Sequence, residues 1–183
     1  MSSPIQQQIV ISGVGGQGVL FVTRLLAEAA MMRNLPVFTS ETHGMAQRGG
    51  TVVSHLKVGD FSSPLIRRGK ADGLMALKPE NVAGGHGTYL KPGGWTVVNL
   101  DRPYPHVLAG PVHEVDADGL AETHGDSRAV NLILLGFALA RIGDDFFCGP
   151  DDVRAALEKR LADKGAMRSV APSALAAGME AAG

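Results

Sequence analysis

Apolar and polar positions divide the chain into short strand-like runs and longer stretches with helical spacing. Residues 5–12 alternate and then run apolar, which predicts a first strand in the middle of a sheet. Residues 17–33 carry Val19, Leu20, Val22, Leu25, Leu26, Ala29 and Met32 at helical spacing, with Arg24, Glu28 and Arg33 on other faces. LPVFTSE, 35–41, reads as a second strand entered through Pro36. Strand, glycine turn, helix and strand form a β-α-β unit, which predicts a right-handed crossover and a parallel pair. TVVSHLKVG then sets Val52, Ser54, Leu56 and Val58 against Val53, His55 and Lys57, a strand of about eight residues. A doubly wound nucleotide fold would place a helix before it, and none is predicted.

Further along, ADGLMALKPEN reads as a strand running into a helix start, GGWTVVNLD as a strand, and PVHEVDA as a strand followed by a small helical piece. DSRAVNLILLGFALARIG predicts a helix capped by Asp126 or Ser127 and ended by Gly143. GPDDVRAALEKRLADKG predicts another, with Pro150 and two acids at its start and Gly165 at its close. APSALAAGMEAAG predicts a last helix with a weak apolar face. The expected architecture is a single α/β domain over 1–183: three layers, α/β/α, with a mixed, mostly parallel sheet and a Rossmann-like start.

Composition narrows the function classes. The chain has 183 residues, 45% hydrophobic and 19% charged, with a formal net charge of −1. That describes an ordinary globular protein with no basic field to suit nucleic acid. No apolar stretch reaches about 18 residues, so no membrane span is expected, and MSSPIQQQ lacks the regions of a signal peptide. A cytoplasmic location follows as the expectation. One cysteine, Cys148, excludes an internal disulfide and an all-cysteine iron–sulfur cluster held by this chain alone. In DDFFCGPDD it reads as a small apolar filler at a helix end.

IVISGVGGQGVLFVTRLLAEA, 9–29, holds a G-x-G-x-x-G turn between a strand and a helix. Gly13, Gly15, Gly16 and Gly18, with Gln17 among them, bring backbone N–H groups and a helix N-terminus together, an arrangement that can hold a phosphate or carboxylate. Three readings stay open: a dinucleotide fingerprint, contact with another anion or cofactor, and a purely structural turn. The dinucleotide reading wants an acid at the end of the second strand, and Glu41 lies 23 residues after Gly18. It stands beyond the apolar run, however, in a second glycine-pinned loop.

That loop, SETHGMAQRGGTVVSHLKVG at 40–59, gathers Glu41, His43, Gln47 and Arg48 between Gly44, Gly49 and Gly50. Arg48 followed by two glycines offers a fork of donors beside backbone N–H groups, suited to a phosphate or carboxylate. Glu41 reads as a partner for Arg48 or a backbone clamp ahead of an acid catalyst, and His43 as a loop-stabilising or interface residue ahead of a general base. No nucleophile stands beside a base here in the spacing of a triad. His55 reads as a strand histidine, His86 and His106 as loop residues, and His113 and His124 as too scattered to ligate a metal. Trp95 reads as a core or interface aromatic ahead of a stacking surface for an adenine, Asn131 as satisfying a local backbone group or capping an interface, and IRRGKAD as a small basic patch in a solvated loop ahead of a contact for a phosphate or an acidic partner.

The two glycine-rich stretches, in this order and at this interval, resemble the gamma-type domain of the 2-oxoacid:ferredoxin (acceptor) oxidoreductases. HGMAQRGG is most similar to the indolepyruvate branch of that family. NLILLGFALA and APSALAAGMEAA stand where the family has a helix and a small-residue tail, although Ala174-Leu175 replace an aromatic-containing pair. The resemblance implies a non-autonomous subunit of an enzyme that converts a 2-oxoacid, coenzyme A and oxidised ferredoxin into acyl-coenzyme A, carbon dioxide and reduced ferredoxin. It implies thiamine diphosphate, magnesium and iron–sulfur clusters on larger partner subunits, contact with ferredoxin through the complex, and self-association of the isolated chain. Coenzyme A is the implied ligand of the cleft that Gly13–Gly18 and Arg48-Gly49-Gly50 border.

Overall fold

The computed structural model describes residues 4–43, 50–101, 108, 110–162 and 167–183. Six strands, β1 (Gln7–Val14), β2 (Val37–His43), β3 (Thr51–Val58), β4 (Ala71–Ala76), β5 (Leu90–Asn99) and β6 (Val112–Val115), form one sheet in the order β2-β3-β1-β4-β5-β6. β1, β4, β5 and β6 pair in parallel, and β3 pairs antiparallel with both β1 and β2. The sheet is therefore mixed, as the pattern predicts.

One expectation needs correction. β1 and β2 run in the same direction, but they are not neighbours, because β3 lies between them. The missing helix explains this. With no helix after β2, the chain returns beside it as an antiparallel strand, and β3 fills the place next to β1. β3 is also buried on both faces rather than one: Leu56 and Val58 join the helix-side core, while Val53 packs on the other side and His55 and Lys57 are buried too.

The helices are α1 (Val19–Met32), α2 (Pro79–Ala83), α3 (Ala117–Thr123), α4 (Val130–Ile142), α5 (Pro150–Leu161) and α6 (Met167–Glu180). The layers on the two sides of the sheet are unequal. Residues of α1, α3, α4 and α5 pack with Ile9, Ile11, Met75 and Val97 in the main core. The other face is covered by Val82 of α2 and by Ile66, Tyr89 and Leu108, over Val10, Leu74, Ala76 and Val98.

α4 is buried from Val130 through Leu139 because it lies between the sheet and α6. A helix apolar on all sides belongs in such a place. The weak apolar face of α6 has a steric explanation. A Cβ on Gly178 would stand 1.9 Å from the carbonyl oxygen of Ile133, and one on Gly136 would stand 2.0 Å from that of Leu175. The two helices touch backbone to backbone, so the contact surface is built from Gly136, Gly178, Ala171 and Ala174 instead of large side chains.

The thinly covered face holds two histidines whose charged forms folding disfavours. The His55 Nδ1 accepts the Ile66 N–H at 3.4 Å, and its ring meets Tyr89 edge-on with centroids 5.3 Å apart. Burial pushes its pKa below 6.5, with Lys57 and His86 adding to the shift. Burial lowers that of His86 as well. As pH falls through 6.5 the unfolded chain takes up protons that these folded sites refuse, so the unfolded state binds more and stability drops. The melting temperature is expected to be level above about pH 7 and to fall below about 6.5, with part of the slope removed in His55→Gln. A flat profile down to about pH 5 would contradict this.

Candidate functional site

The glycine turn is held by its own hydrogen bonds. The Val14 N–H donates to Gln17 Oε1 at 2.9 Å, the Gln17 N–H to the Val14 carbonyl at 3.1 Å, and the Gly15 N–H to the Gly50 carbonyl at 3.0 Å. These three N–H groups are engaged, which leaves less of the turn for an anion than the bare motif suggests. The last of these bonds also joins the two glycine-rich loops. β3 begins at Thr51, opposite Val14 at the end of β1, so Gly50 arrives beside Gly15.

Gly18 caps α1 with φ +78°, in the left-handed region, and α1 has neither a side-chain cap nor an acid in its first turn. Across from it stands Asn131, whose Nδ2 donates to the Gly18 carbonyl at 3.4 Å while its Oδ1 accepts the Leu132 N–H at 2.8 Å. A Cβ on Gly18 would come within 2.1 Å of that Nδ2. Asn131 thus satisfies a local backbone group, and it also links α4 to the glycine turn, which lies far away in sequence.

Between them lies a cleft of about 420 Å³. One wall is Gly16, Gln17, Gly18 and Phe21; the other is the 126–132 segment leading into α4, with Val170, Ala171 and Ala174 of α6 and Asp118 of α3 closing the ends. The turn before α4 closes on its own hydrogen bonds. Asp126 accepts the Arg128 N–H at 3.0 Å and both Nε and Nη2 of the same arginine at 2.9 and 3.0 Å. Those hydrogen bonds hold the Asp126 carboxyl below its usual range and raise the Arg128 guanidinium.

Asp118 is positioned by Asn99, buried at the end of β5. The Asn99 amide donates to Asp118 Oδ2 at 2.9 Å and to the Leu77 carbonyl at 3.3 Å, and its Oδ1 accepts the Ala117 N–H at 2.9 Å. One side chain therefore ties β4, β5 and α3 together where the strands end. Such a crevice, outside the carboxyl ends of parallel strands, is where open α/β sheets take ligands.

The candidate residues divide into those brought together and those not. Gly13, Gly15, Gly16, Gln17 and Gly18 form the turn, and Gly50 joins it through Gly15. Gly13 is sterically required, since a Cβ there would meet Val19 Cγ2 at 2.8 Å and Gln17 Oε1 at 2.9 Å. Glu41 stands apart. It lies on the edge strand β2 opposite Ser54, itself opposite Ile11, so it stands two strands from β1 and short of the strand ends. Its Oε1 is 3.9 Å from Nη2 of Arg24 on α1. The dinucleotide reading therefore lacks an acid at the required place. His43 ends β2 opposite Val52, and its side chain, with Gln47, Arg48 and Gly49, lies outside the described residues.

The far wall of the cleft, Asp118 and 126–132 with α6, is absent from the sequence-based site apart from the attention given to Asn131. The signal lies in GDSRAVN, where a polar Asp-Ser turn leads into a helix apolar on every side, but it reads there only as a cap. Trp95 is a core residue, packed over Gly73 and tilted against Phe146 with centroids 5.6 Å apart. Cys148 is the buried filler expected of it, and burial pushes its thiol up to about 12. Among the described residues no group of three or more His, Cys, Asp or Glu could hold a metal, and no helix is long and apolar enough to cross a membrane.

Comparison with known proteins extends the local motifs to the whole chain. Residues 8–182 match the family model described as pyruvate ferredoxin/flavodoxin oxidoreductase. The indolepyruvate oxidoreductase subunit IorB of Archaeoglobus fulgidus is 34% identical over 176 residues, 85% of this chain and 86% of that protein. The Pyrococcus horikoshii subunit of the same name is 40% identical over 154 residues, 72% of this chain and 75% of that one. In fold, the chain superposes on the keto/oxoacid ferredoxin oxidoreductase gamma subunit of Geobacter sulfurreducens with a TM-score of 0.77 at 24% identity, covering 96% of this chain and 98% of that one. It also superposes on 31% of the 2-oxoglutarate:ferredoxin oxidoreductase of Magnetococcus marinus, solved with 2-oxoglutarate, coenzyme A and succinyl-CoA bound, with a TM-score of 0.79 at 19% identity and 99% of this chain covered. The match over almost the full length establishes that the chain belongs to the pyruvate ferredoxin/flavodoxin oxidoreductase family.

Proposed function

We propose that this chain is the small accessory subunit of a cytoplasmic 2-oxoacid:ferredoxin oxidoreductase. That enzyme converts a 2-oxoacid, coenzyme A and oxidised ferredoxin into acyl-coenzyme A, carbon dioxide and reduced ferredoxin. The observation that carries this reading is the family match over residues 8–182 together with relatives that are themselves oxidoreductase subunits of similar length. Those relatives make indolepyruvate the first 2-oxoacid to test. No catalytic residue is assigned to this chain. Thiamine diphosphate and its magnesium supply the carbanion chemistry, and iron–sulfur clusters take the electrons, on a larger partner subunit. With a single cysteine, this chain cannot alone ligate a four-cysteine cluster.

The role of this chain is to complete the active-site cleft on the coenzyme A side. Gly16, Gln17 and Gly18 line one wall, on a turn to which Gly13 and Gly15 belong, and Asn131 and Asn99 hold the opposite side in register. The second element of this reading is the stretch from His43 through Gln47, Arg48 and Gly49 to Gly50, which joins the turn through Gly15, while Glu41 stays on β2 beside Arg24. Arg48 supplies the fork of donors for a phosphate of coenzyme A. Because Arg128 is already paired with Asp126, the cleft itself is better suited to the uncharged arm of that molecule than to its phosphates.

The test is recovery of the tagged chain from its native cells without oxygen, followed by assay of indolepyruvate- and coenzyme A-dependent dye reduction. A larger brown partner, present in stoichiometric amount and carrying that activity, is the expected result. A chain recovered alone, colourless and inactive, would overturn the reading in favour of a stand-alone ligand-binding protein.

A further inference from the structure

Among the described residues that line the cleft, Phe21 carries the one aromatic ring. It stands in the first turn of α1 and is half-buried. An ion pair lies against that ring. The guanidinium carbon of Arg160, from α5, is 5.4 Å from the ring centroid, and Arg160 Nη1 donates to Oε1 of Glu28. Glu28 follows Phe21 by two turns, on the same stripe of α1. Neither Arg160 nor Glu28 lines the cleft, so the ring separates the ion pair from it.

Arg160 is drawn in deeply for a charged residue. Its side chain is 20% exposed, and its Nε is buried without a hydrogen-bond partner. The guanidinium thus forgoes a hydrogen bond in the position where it covers the ring. A partly desolvated cation is attracted to an aromatic face, and the flat guanidinium stacks there as an ammonium does not. Turning Phe21 away would uncover a cation already short of partners, so the pair holds the ring in place. On the cleft side, Val170, Ala171 and Ala174 extend the apolar surface. Arg128, the arginine of the cleft, is taken by Asp126, and Asp118 adds a second carboxylate. A phosphate would meet negative charge there, whereas methylene and amide groups find an apolar wall with acceptors beside it.

We propose that Phe21 is the contact for the uncharged pantetheine arm of coenzyme A, and that Arg160 and Glu28 are positioning residues that hold its ring against that arm. This rests on the reading of the cleft as the coenzyme A side of the active site. It gives the ion pair between α1 and α5 a part in ligand affinity in addition to joining two helices.

The test is calorimetric titration of the assembled enzyme, free of 2-oxoacid, with coenzyme A and with adenosine bisphosphate, its nucleotide end without the arm. Phe21→Leu keeps an apolar side chain and removes the ring. It is expected to raise Kd for coenzyme A about fivefold and to leave that for adenosine bisphosphate at the wild-type value. Arg160→Gln is expected to raise Kd for coenzyme A about threefold, with Glu28→Gln in the same direction and Arg160→Lys recovering part of the loss. In turnover these variants should raise KM for coenzyme A by more than they lower kcat. An equal rise for both ligands, whether from a ring under the adenine or from a loosened fold, overturns the proposal. So does an unchanged Kd for coenzyme A in Phe21→Leu. Wild-type affinity in Arg160→Gln overturns the positioning role. A wild-type complex that binds neither ligand would instead mark failure of the coenzyme A reading, and the assignment of Phe21 would fall with it.

Discussion

Gly178→Ala is expected to destabilise the chain by about 3 kcal/mol and to lower its melting temperature by roughly 6–12 °C. The added methyl would stand 1.9 Å from the Ile133 carbonyl oxygen and 2.9 Å from the Phe137 nitrogen. Both atoms are backbone in the middle of α4, so no rotamer change can relieve the contact; α6 must move as a body. Gly136→Ala meets the mirror situation, at 2.0 Å from the Leu175 carbonyl oxygen, and should cost a similar amount. The double variant should cost less than the sum, because once the helices have separated the second methyl has room. Gly125→Ala is the control: its φ of +74° carries the strain of a left-handed residue, but nothing lies within 4 Å of the new methyl. Losses below about 0.5 kcal/mol for both Gly136 and Gly178 variants would mean that the helices do not cross in backbone contact.

The largest expected effect on activity is at Gly18. Gly18→Ala imposes a side chain on a residue with φ +78° and drives a methyl to 2.1 Å from Asn131 Nδ2. The stability cost should be modest, on the order of 1–2 kcal/mol. The cost in the assembled enzyme should be larger, about a hundredfold in kcat/KM for coenzyme A, because a shift of about 1 Å in a positioning loop can have that effect. The clashing atom is the far end of a side chain, which makes the prediction specific. Asn131→Ala removes the obstacle, so Gly18→Ala with Asn131→Ala should recover part of the loss, and the cycle should show coupling of about 0.5 kcal/mol or more. Additive effects would show that the glycine turn and the start of α4 do not act through this contact.

Much of the fold can be read in the sequence because it is written locally. The start of α5 is spelled by Pro150 and by Asp152, whose carboxylate accepts the Gly149 N–H at 2.9 Å. The end of α4 is spelled by Gly143, at φ +58°. β3 as a strand is equally plain, but its place between β1 and β2 is not, because register between distant strands leaves no mark in either one. The partner of α4 was obscured for a related reason. Hydrophobic periodicity detects large side chains, and α6 makes its contact where side chains are missing.

The site divides along the same line. The glycine turn is legible because its demands, including the steric one at Gly13, fall on consecutive residues. Its opposite wall comes from residues more than a hundred positions away, where Asn131 and Asp118 look like an ordinary helix amide and an ordinary surface acid. Glu41 shows the converse: spacing from the turn suggested a ribose acid, and the inserted strand moves it to Arg24 on the outer side of the sheet.

The position of α4 under α6 also bears on how the chain is made. α6 follows every element it covers, so a nascent chain that has released β1 through α5 from the ribosome still exposes the outer side of α4. Gly136 and the backbone at Ile133 and Phe137, which meet α6, stay uncovered until the last helix arrives. Domains gain their structure as synthesis proceeds, and open apolar surface at that stage attracts chaperones or other unfinished chains. The sheet can form early, but the molecule becomes fit for assembly only when synthesis reaches α6.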